Sequence, residues 1–451
     1  MIKFGTDGIR FVYDKEKSLL IIKAVSLSIK NLFPNNKFVI GNDGRNSGED
    51  IEKTFLSSFN ESQYERLGIV PSGCVAFIAS QGFDYGVMIT ASHNDYRYNG
   101  IKFFDKTGQK ISNELEKYIE IVSNKIYQNL TINDTMLLKI DTANSSNVDN
   151  ESQFVNVNEI YLKQENNKLK QKYCDFIKGL LTNDHIKNKK IIIDCANGGA
   201  SKIIKNILGN ENEYHIINTY VKLNKINYNC GATHTDLLRK VVKANKAYLG
   251  IAFDGDADRM VVINKNGKQI DGAVLFGFFA ENIELNNQQV VGTVYTNLGV
   301  INHLNRYGIK FVNGGVGDKG VINGMNKINS NFGGEPSGHY IFKDNLNTGD
   351  GLISFMKLLN LLGYEKIKRI KTFYEISKTI NKDDAIFIKD KFFDYKLKEL
   401  EDKFSNMKII VRESGTEPII RINVQCNKKN KAQECALIVE ELVQNSLANS
   451  I

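Results

Sequence analysis

No stretch of this 451-residue chain stays apolar for long. The longer runs, such as Ala273–Ala280 (Ala-Val-Leu-Phe-Gly-Phe-Phe-Ala), fall far short of the roughly 18 to 20 residues that a bilayer-spanning helix needs. The start, Met1-Ile-Lys-Phe-Gly-Thr-Asp7, lacks a basic segment followed by an apolar one, so no secretory leader is expected and the cytoplasm is the expected compartment. No block of lysine and arginine stands out. The 59 basic and 51 acidic residues leave a formal charge of +8 that is spread along the chain, which suits a small anionic substrate and does not call for nucleic acid. The six cysteines (Cys74, Cys174, Cys195, Cys230, Cys426, Cys435) form no CxxC pair and no Cys/His zinc spacing; buried, inert thiols are expected. No fixed-period repeat is visible either. What remains, with 42% hydrophobic and 24% charged residues, is an ordinary globular protein, long enough for two to four domains that each bury a core.

Short β-rich runs that end in glycine or aspartate recur along the chain. They include Lys37–Gly41, Gly86–Thr90, Ile191–Asp194, Leu249–Phe253 and Val290–Tyr295. Between them lie segments with helical spacing, for example Ile51, Phe55 and Phe59, or Leu237, Val241 and Val242. This alternation predicts α/β units with mixed or parallel sheets, whose ligands bind beside the loops leaving the strand C-terminal ends. The polar stretch Asn133 to Ser152 reads as a linker. After it, Leu162, Leu169, Tyr173, Phe176, Ile177 and Leu180 predict a long amphipathic helix that opens a second domain. Softer boundaries near 250 and 370 divide the chain into residues 1–152, 153–250, 251–368 and 369–451, the last a small α+β unit.

Five glycine-rich loops carry the chemistry. In Asp254-Gly-Asp-Ala-Asp258 three carboxylates alternate directly after a strand signal. On a helix they would not converge, whereas a turn containing Gly255 can curl their oxygens around one hard divalent cation. Arg259 follows and can reach a phosphate on that cation. Thr90-Ala-Ser-His-Asn94 offers the Ser92 hydroxyl as a phosphate carrier and fourth ligand, with His93 placed to orient the phosphate or cap the turn. Lys102 enters the same site as a base of lowered pKa or as a plain cation. In Gly334-Glu-Pro-Ser-Gly-His339 the alternating Glu335, Ser337 and His339 suit ring hydroxyls. Arg412-Glu-Ser-Gly-Thr-Glu-Pro418, with Arg421 beyond it, offers guanidinium groups, Ser414, Thr416 and the flexible Gly415 as a phosphate clamp. Phe4-Gly-Thr-Asp-Gly-Ile-Arg10 adds Asp7 and Arg10 to a charged lining, along with Asp43 and Arg45.

These loops, in this order and over almost the whole chain, resemble those of the α-D-phosphohexomutase superfamily. Phe4–Arg10, Gly100–Phe104, Asp194–Gly198, Cys230–His234 and Ile251–Asp256 are most similar to the phosphoglucosamine mutases. The resemblance implies a four-domain α/β architecture, with three similar α/β domains of mixed sheets, a smaller α+β C-terminal domain and the active site in the central cleft. It implies that Ser92 is a phosphoserine and that Ser92, Asp254, Asp256 and Asp258 bind one Mg²⁺. It also implies catalytic roles for His93, Lys102, Arg10, Arg259 and His339, and substrate contacts from Glu335, Ser337, Gly317, Asp318, Arg412, Ser414, Gly415, Thr416 and Arg421. The reaction implied interconverts α-D-glucosamine 1-phosphate and D-glucosamine 6-phosphate. By the same resemblance, glucosamine or glucose 1,6-bisphosphate would serve as intermediate or activator, and the product would feed UDP-N-acetylglucosamine and peptidoglycan synthesis. A hexosamine phosphate would be the substrate partner, with no membrane or nucleic acid involved, and the enzyme would be a monomer or homodimer.

The chain departs from the family pattern at Phe11, Asp95, Tyr98 and Lys319, and above all at Pro336, where phosphoglucosamine mutases usually carry glutamine in the sugar loop. Three other readings compete. One is a phosphomannomutase/phosphoglucomutase with the same machinery. Another is a phosphatase with Asp254 as nucleophile and Asp256 as general acid. The last is a sugar-phosphate-binding protein without turnover.

Overall fold

The computed structural model describes residues 1–141, 162–182, 189–209, 213–221, 224–361, 367, 369–382, 387, 391–404, 406–414 and 418–448. The chain divides into two compact units, Met1–Ile270 with Gly317–Lys319 and Gly338–Leu362, and Asp271–Val316 with Gly320–Ser337 and Gly363–Ile451.

The first unit holds two mixed sheets. In one, β1 (Ile9–Val12), β2 (Phe38–Asn42), β3 (Tyr64–Ile69), β4 (Tyr85–Ile89) and β5 (Tyr98–Asp105) take the order β1-β5-β4-β2-β3. Strands β3, β2 and β4 run parallel, whereas β5 is antiparallel to both β4 and β1. Strands β2 and β4 are buried along their full length and read as continuous apolar runs, because helices cover them. Phe38 stacks on Tyr85 with ring centroids 4.8 Å apart, and Phe55 from the helix Gly48–Leu56 meets Phe38 edge-on at 5.9 Å. The second sheet has β6 (Ile191–Asp194), β7 (Tyr214–Ile217), β8 (Leu249–Phe253) and β9 (Met260–Asn264) in the order β7-β6-β8-β9, parallel except for the β8–β9 hairpin.

In the second unit β10 (Gln289–Gly292) pairs in parallel with β11 (Lys310–Asn313) and β12 (Phe332–Gly334). The apolar run at Ala273–Ala280 is the helix Gly272–Asn282, buried on nearly every face and capped by the Asp271 carboxylate, which accepts from the Ala273 N–H at 2.7 Å. Its Phe276 stacks on Phe332 at 5.2 Å. The short β13 (Tyr340–Phe342) belongs to the first unit. The C-terminal part pairs β14 (Tyr374–Asn381), β15 (Met407–Glu413) and β16 (Ile419–Cys426) antiparallel in the order β14-β16-β15, and the helix Lys429–Ala448 packs on this sheet around Val424, Ala436 and Val439.

Several expectations need correction. The linker expected from Asn133 is helix as far as Asp141, because the helix Asn113–Asp141 continues through a segment whose polar residues also tolerate helix; the expected end of the first domain at 152 lies outside the described residues. The boundary at 250 falls inside β8, and the sheet runs on through the hairpin to Asn264, because β8 is the strand that carries the carboxylate turn. The expected boundary at 368 also lies outside the described residues. The helix expected from Leu162 starts at Asn167, after the Asn166 side chain accepts from the Leu169 N–H, and Leu162 packs instead against the first core. In the helix Asp236–Ala244, Leu238 and Val242 face inward, whereas Leu237 is 43% exposed. All six cysteines are free and buried, and burial pushes the thiols of Cys174 up to about 11 and of Cys230 and Cys435 up to about 12. Among the described residues no helix is long and apolar enough to cross a membrane.

Candidate active site

Two loops of the first unit meet. One leaves the end of β4 and carries Ser92; the other joins β8 to β9 and carries the three aspartates. The contact is close because Gly255 has no side chain: a Cβ there would lie 2.7 Å from the Ser92 carbonyl oxygen. The Ser92 hydroxyl donates to Asp254 Oδ2 at 2.8 Å, and both residues are fully buried. Ser92 has φ 51°, in the left-handed region that a residue with a Cβ seldom enters.

One ligand oxygen from each of Asp254, Asp256 and Asp258 lies within 4.8 Å of the others. Partners already hold one side of this trio. Asp256 Oδ2 accepts from Ser72 Oγ at 2.6 Å and from Lys102 Nζ at 2.6 Å, and Asp258 Oδ2 accepts from Lys102 Nζ at 3.1 Å. The other oxygens, Asp256 Oδ1 and Asp258 Oδ1, are buried without a hydrogen-bond partner. Anionic oxygens buried without a protein donor cost free energy unless a cation takes them, so this donor set fits a hard divalent metal. Electrostatics agree. Burial, then repulsion from Asp258 and Asp256, lifts the Asp254 carboxyl well above the usual carboxylate range. Burial acts in the same direction on Asp258, but Lys102 and His339 outweigh it and hold that carboxyl well below its ordinary value.

Around the trio lies a shell of charge. Lys102, on β5, is buried. Burial alone would discharge its ammonium, yet Asp256, Asp7 and Asp258 outweigh that and hold its pKa well above the ordinary lysine value. Of the two expected roles, this raised pKa favours the plain cation over the base with lowered pKa. Arg10 pairs with Asp7 and donates to Asn94 Oδ1 at 3.1 Å. His93 Nδ1 lies 3.4 Å from Ser92 Oγ; burial, with Arg259 and Arg10 adding positive charge, lowers its pKa to about 4, so the imidazole is neutral at pH 7. Arg259 Nε stands 4.0 Å from Asp254 Oδ2 and 3.9 Å from Asp258 Oδ1. His339 Nδ1 is 3.7 Å from Asp258 Oδ1, and its Nε2 is 3.8 Å from Asp318 Oδ2. Gly317, at φ 81°, precedes Asp318, which is ion-paired with Lys110.

The first unit thus gathers Ser92, His93, Lys102, Arg10, Asp254, Asp256, Asp258, Arg259, His339, Gly317 and Asp318. The remaining candidates belong to the second unit. Glu335 is half-buried and Ser337 exposed, after β12. Arg412 and Arg421 are directly opposed across β15 and β16, so they share one face of the C-terminal sheet. Arg412 stacks over the Tyr295 ring at 5.2 Å, and Ser414 N–H donates to the Ile419 carbonyl at 2.9 Å. Gly415 and Thr416 lie outside the described residues.

Two participants escaped the sequence reading. Ser72 opens the helix Ser72–Ala79, and besides its hydroxyl bond its N–H donates to the Asp256 carbonyl at 2.9 Å; the Pro-Ser-Gly start before an apolar segment was the available signal. Lys110, buried and paired with both Asp7 and Asp318, had none beyond its place just after β5.

Three family profiles match: phosphoglucomutase/phosphomannomutase α/β/α domain I over residues 1–130, domain II over 171–267 and domain III over 269–380. The chain is 31% identical to the phosphoglucosamine mutase of Clostridioides difficile (strain 630), covering 99% of each chain, and 34% identical to that of Campylobacter fetus, covering 93% of each. Among solved structures, a phosphoglucomutase/phosphomannomutase family protein from Burkholderia thailandensis superposes with a TM-score of 0.71 at 18% identity, over 100% of this chain and 98% of that one. The Aspergillus fumigatus N-acetylphosphoglucosamine mutase, in complex with GlcNAc-6P and magnesium, does so with a TM-score of 0.65 at 15% identity, over 99% and 96%.

Proposed function

Because the chain belongs to the phosphoglucosamine mutase family of α-D-phosphohexomutases, we propose that it interconverts α-D-glucosamine 1-phosphate and D-glucosamine 6-phosphate, with Ser92 as the phosphoryl carrier. The observation that carries this reading is the 2.8 Å bond from the Ser92 hydroxyl to Asp254, beside two buried carboxylate oxygens that lack partners. Asp254, Asp256, Asp258 and the phosphorylated Ser92 would hold one Mg²⁺, which when bound neutralises charge on the phosphoryl group in transit.

In the forward half-reaction the bond between phosphorus and Ser92 Oγ breaks as a sugar hydroxyl oxygen bonds to phosphorus, and the proton lost by that hydroxyl is balanced by the one that the freed Ser92 Oγ takes up. The bisphosphate so formed returns its other phosphoryl group to Ser92, which restores the enzyme. His93, neutral at pH 7 and 3.4 Å from Ser92 Oγ, orients the group in transit. Lys102 keeps two carboxylates of the trio apart from one another's repulsion, and Arg259 and Arg10 supply further positive charge. Glu335 and Ser337 read the sugar, as does His339. Gly317 and Asp318 contribute to substrate binding. Arg412, Ser414, Gly415, Thr416 and Arg421 grip the phosphate that is not reacting; two arginines directly opposed on neighbouring strands can offer both guanidinium groups to one anion.

The test is the purified protein with magnesium and a trace of glucose 1,6-bisphosphate, offered glucosamine, glucose and mannose 6-phosphates in turn. The expected result is isomerisation fastest with the amino sugar, one added phosphate on Ser92 by intact mass, and loss of turnover on chelation that magnesium restores. A preference for glucose or mannose phosphate would reassign the substrate, with Pro336 the first suspect. Free phosphate released without isomerised sugar, and a label on aspartate, would replace the mutase by a phosphatase.

A further inference from the structure

The serine loop is held from behind by side chains outside the reacting set. Resting on the reading of Ser92 as phosphoryl carrier, we infer that Arg45 and Asn227 are positioning residues that lock Ser92 in its left-handed conformation and so set its hydroxyl against Asp254.

Arg45 follows the end of β2 and its side chain is wholly buried. Its Nε donates to Asp43 Oδ2 at 2.8 Å, which balances the charge. The rest of the fork is spent on backbone carbonyls of the serine loop: Nη2 reaches Ser92 and Asn94, both at 2.9 Å, while Nη1 reaches Asp95 and, at 2.9 Å, Tyr98. Asn227 approaches the same loop from the segment after β7. Its Nδ2 donates to the Ser92 carbonyl at 2.7 Å and to the Asn94 carbonyl at 2.9 Å. Thr90 completes the enclosure, since its hydroxyl accepts from the Ser92 N–H at 2.7 Å and donates to Asp43 Oδ2 at 2.6 Å.

Both backbone polar groups of Ser92 are thereby bonded, the N–H once and the carbonyl twice. A non-glycine residue at φ 51° persists only where its surroundings over-determine it, and here they do. The Asn227 N–H donates to the Ala196 carbonyl at 3.0 Å, next to β6. The clamp therefore ties the serine loop to the sheet that carries the aspartate turn, so the spacing between hydroxyl and carboxylate does not depend on the loop alone. Planarity explains the choice of arginine. A guanidinium presents five donors in a fixed fork, whereas lysine would supply three from one point.

Asn227 is itself at φ 56°, so Asn227→Gly deletes the amide while keeping a residue at ease with that backbone. The experiment compares wild type, Asn227→Gly and Arg45→Lys by hydrogen exchange across the first unit and by kcat and KM for glucosamine 6-phosphate. Exchange at the amides of 92–98 should rise about tenfold in Asn227→Gly, with β2 and β8 unchanged, and kcat should fall about tenfold with KM within about twofold. Arg45→Lys should show the larger effect on the loop if it folds. Wild-type exchange and kcat in Asn227→Gly would overturn the assignment, as would a rise shared equally by the whole unit. Should wild type show no turnover, the proposed reaction falls and loop exchange alone decides the clamp.

Discussion

The aspartate–serine site and the paired arginines are both assigned to phosphate, yet they are built in opposite ways. Ser92, Asp254 and Asp256 are fully buried, Asp258 nearly so, and each is held by named partners. Arg421 is exposed, Arg412 is half-buried, and they stand on the face of an antiparallel sheet at the chain's C-terminal end. Burial strengthens every charge interaction and keeps water from a transferring phosphoryl group, which suits the place where bonds change. Exposure lets a guanidinium exchange partners with solvent and ligand, which suits a grip that must let go. On the proposed reading, the contrast separates chemistry from holding.

Ser92→Ala should break the buried half most severely. The phosphorylated form should vanish from the intact-mass spectrum and turnover should fall on the order of 10³-fold or more. A variant that isomerises at the wild-type rate would end the carrier assignment. Arg412→Ala should act on the other half and raise KM about tenfold with kcat within about threefold, because it removes binding shared by ground and transition states. A fall in kcat alone would erase the contrast, since the distant arginine would then belong to the chemistry.

The smallest effect expected sharpens the picture of the buried half. Asp350 caps the helix Gly351–Asn360, accepts from Tyr173 Oη at 2.6 Å, and packs so tightly on Gly73 that a Cβ there would lie 1.9 Å from Asp350 Oδ2. Burial pushes its carboxyl up from 3.8 to about 6, partly offset by the bonds from Tyr173, Ile353 and Leu352. An acid with a raised folded-state pKa favours folding at low pH, and that contribution is lost as pH rises from 3.8 to about 6. Removing the tyrosine hydroxyl lifts the carboxyl further and extends the loss to higher pH. Tyr173→Phe should therefore destabilise by about 1–3 kcal/mol at pH 8 and by less at pH 5, read from urea unfolding at both. An equal loss at the two pH values would mean that Asp350 does not titrate against Tyr173.

Much of this was legible in residues close together in the chain. The alternation of β-rich and amphipathic segments marks the α/β units, and three aspartates on alternate positions after Phe253 mark a group that could hold a cation before any fold is known. Two features depart from that reading: the helix Asn113–Asp141 runs on through residues 133–141, because polar residues also tolerate helix, and the second sheet reaches Asn264, because a strand's membership in a sheet depends on its partners. Lys102 shows the same limit at the level of charge, since spacing permits a free base or a fixed cation equally, and only its buried carboxylate neighbours decide.

By itself the order of residues determined which kinds of atoms are present and which turns can present them, because carboxylate spacing, glycine and hydroxyls act within a few bonds. Tertiary structure alone decided which oxygen of Asp256 is bonded, which is bare, and what faces Ser92. Those contacts join residues 162, 154 and 184 positions apart, for Ser92 with Asp254, Lys102 with Asp256 and Ser72 with Asp256. Local patterning has no means of specifying a distance across such a gap; it is set when the two sheets fold and their loops are packed together.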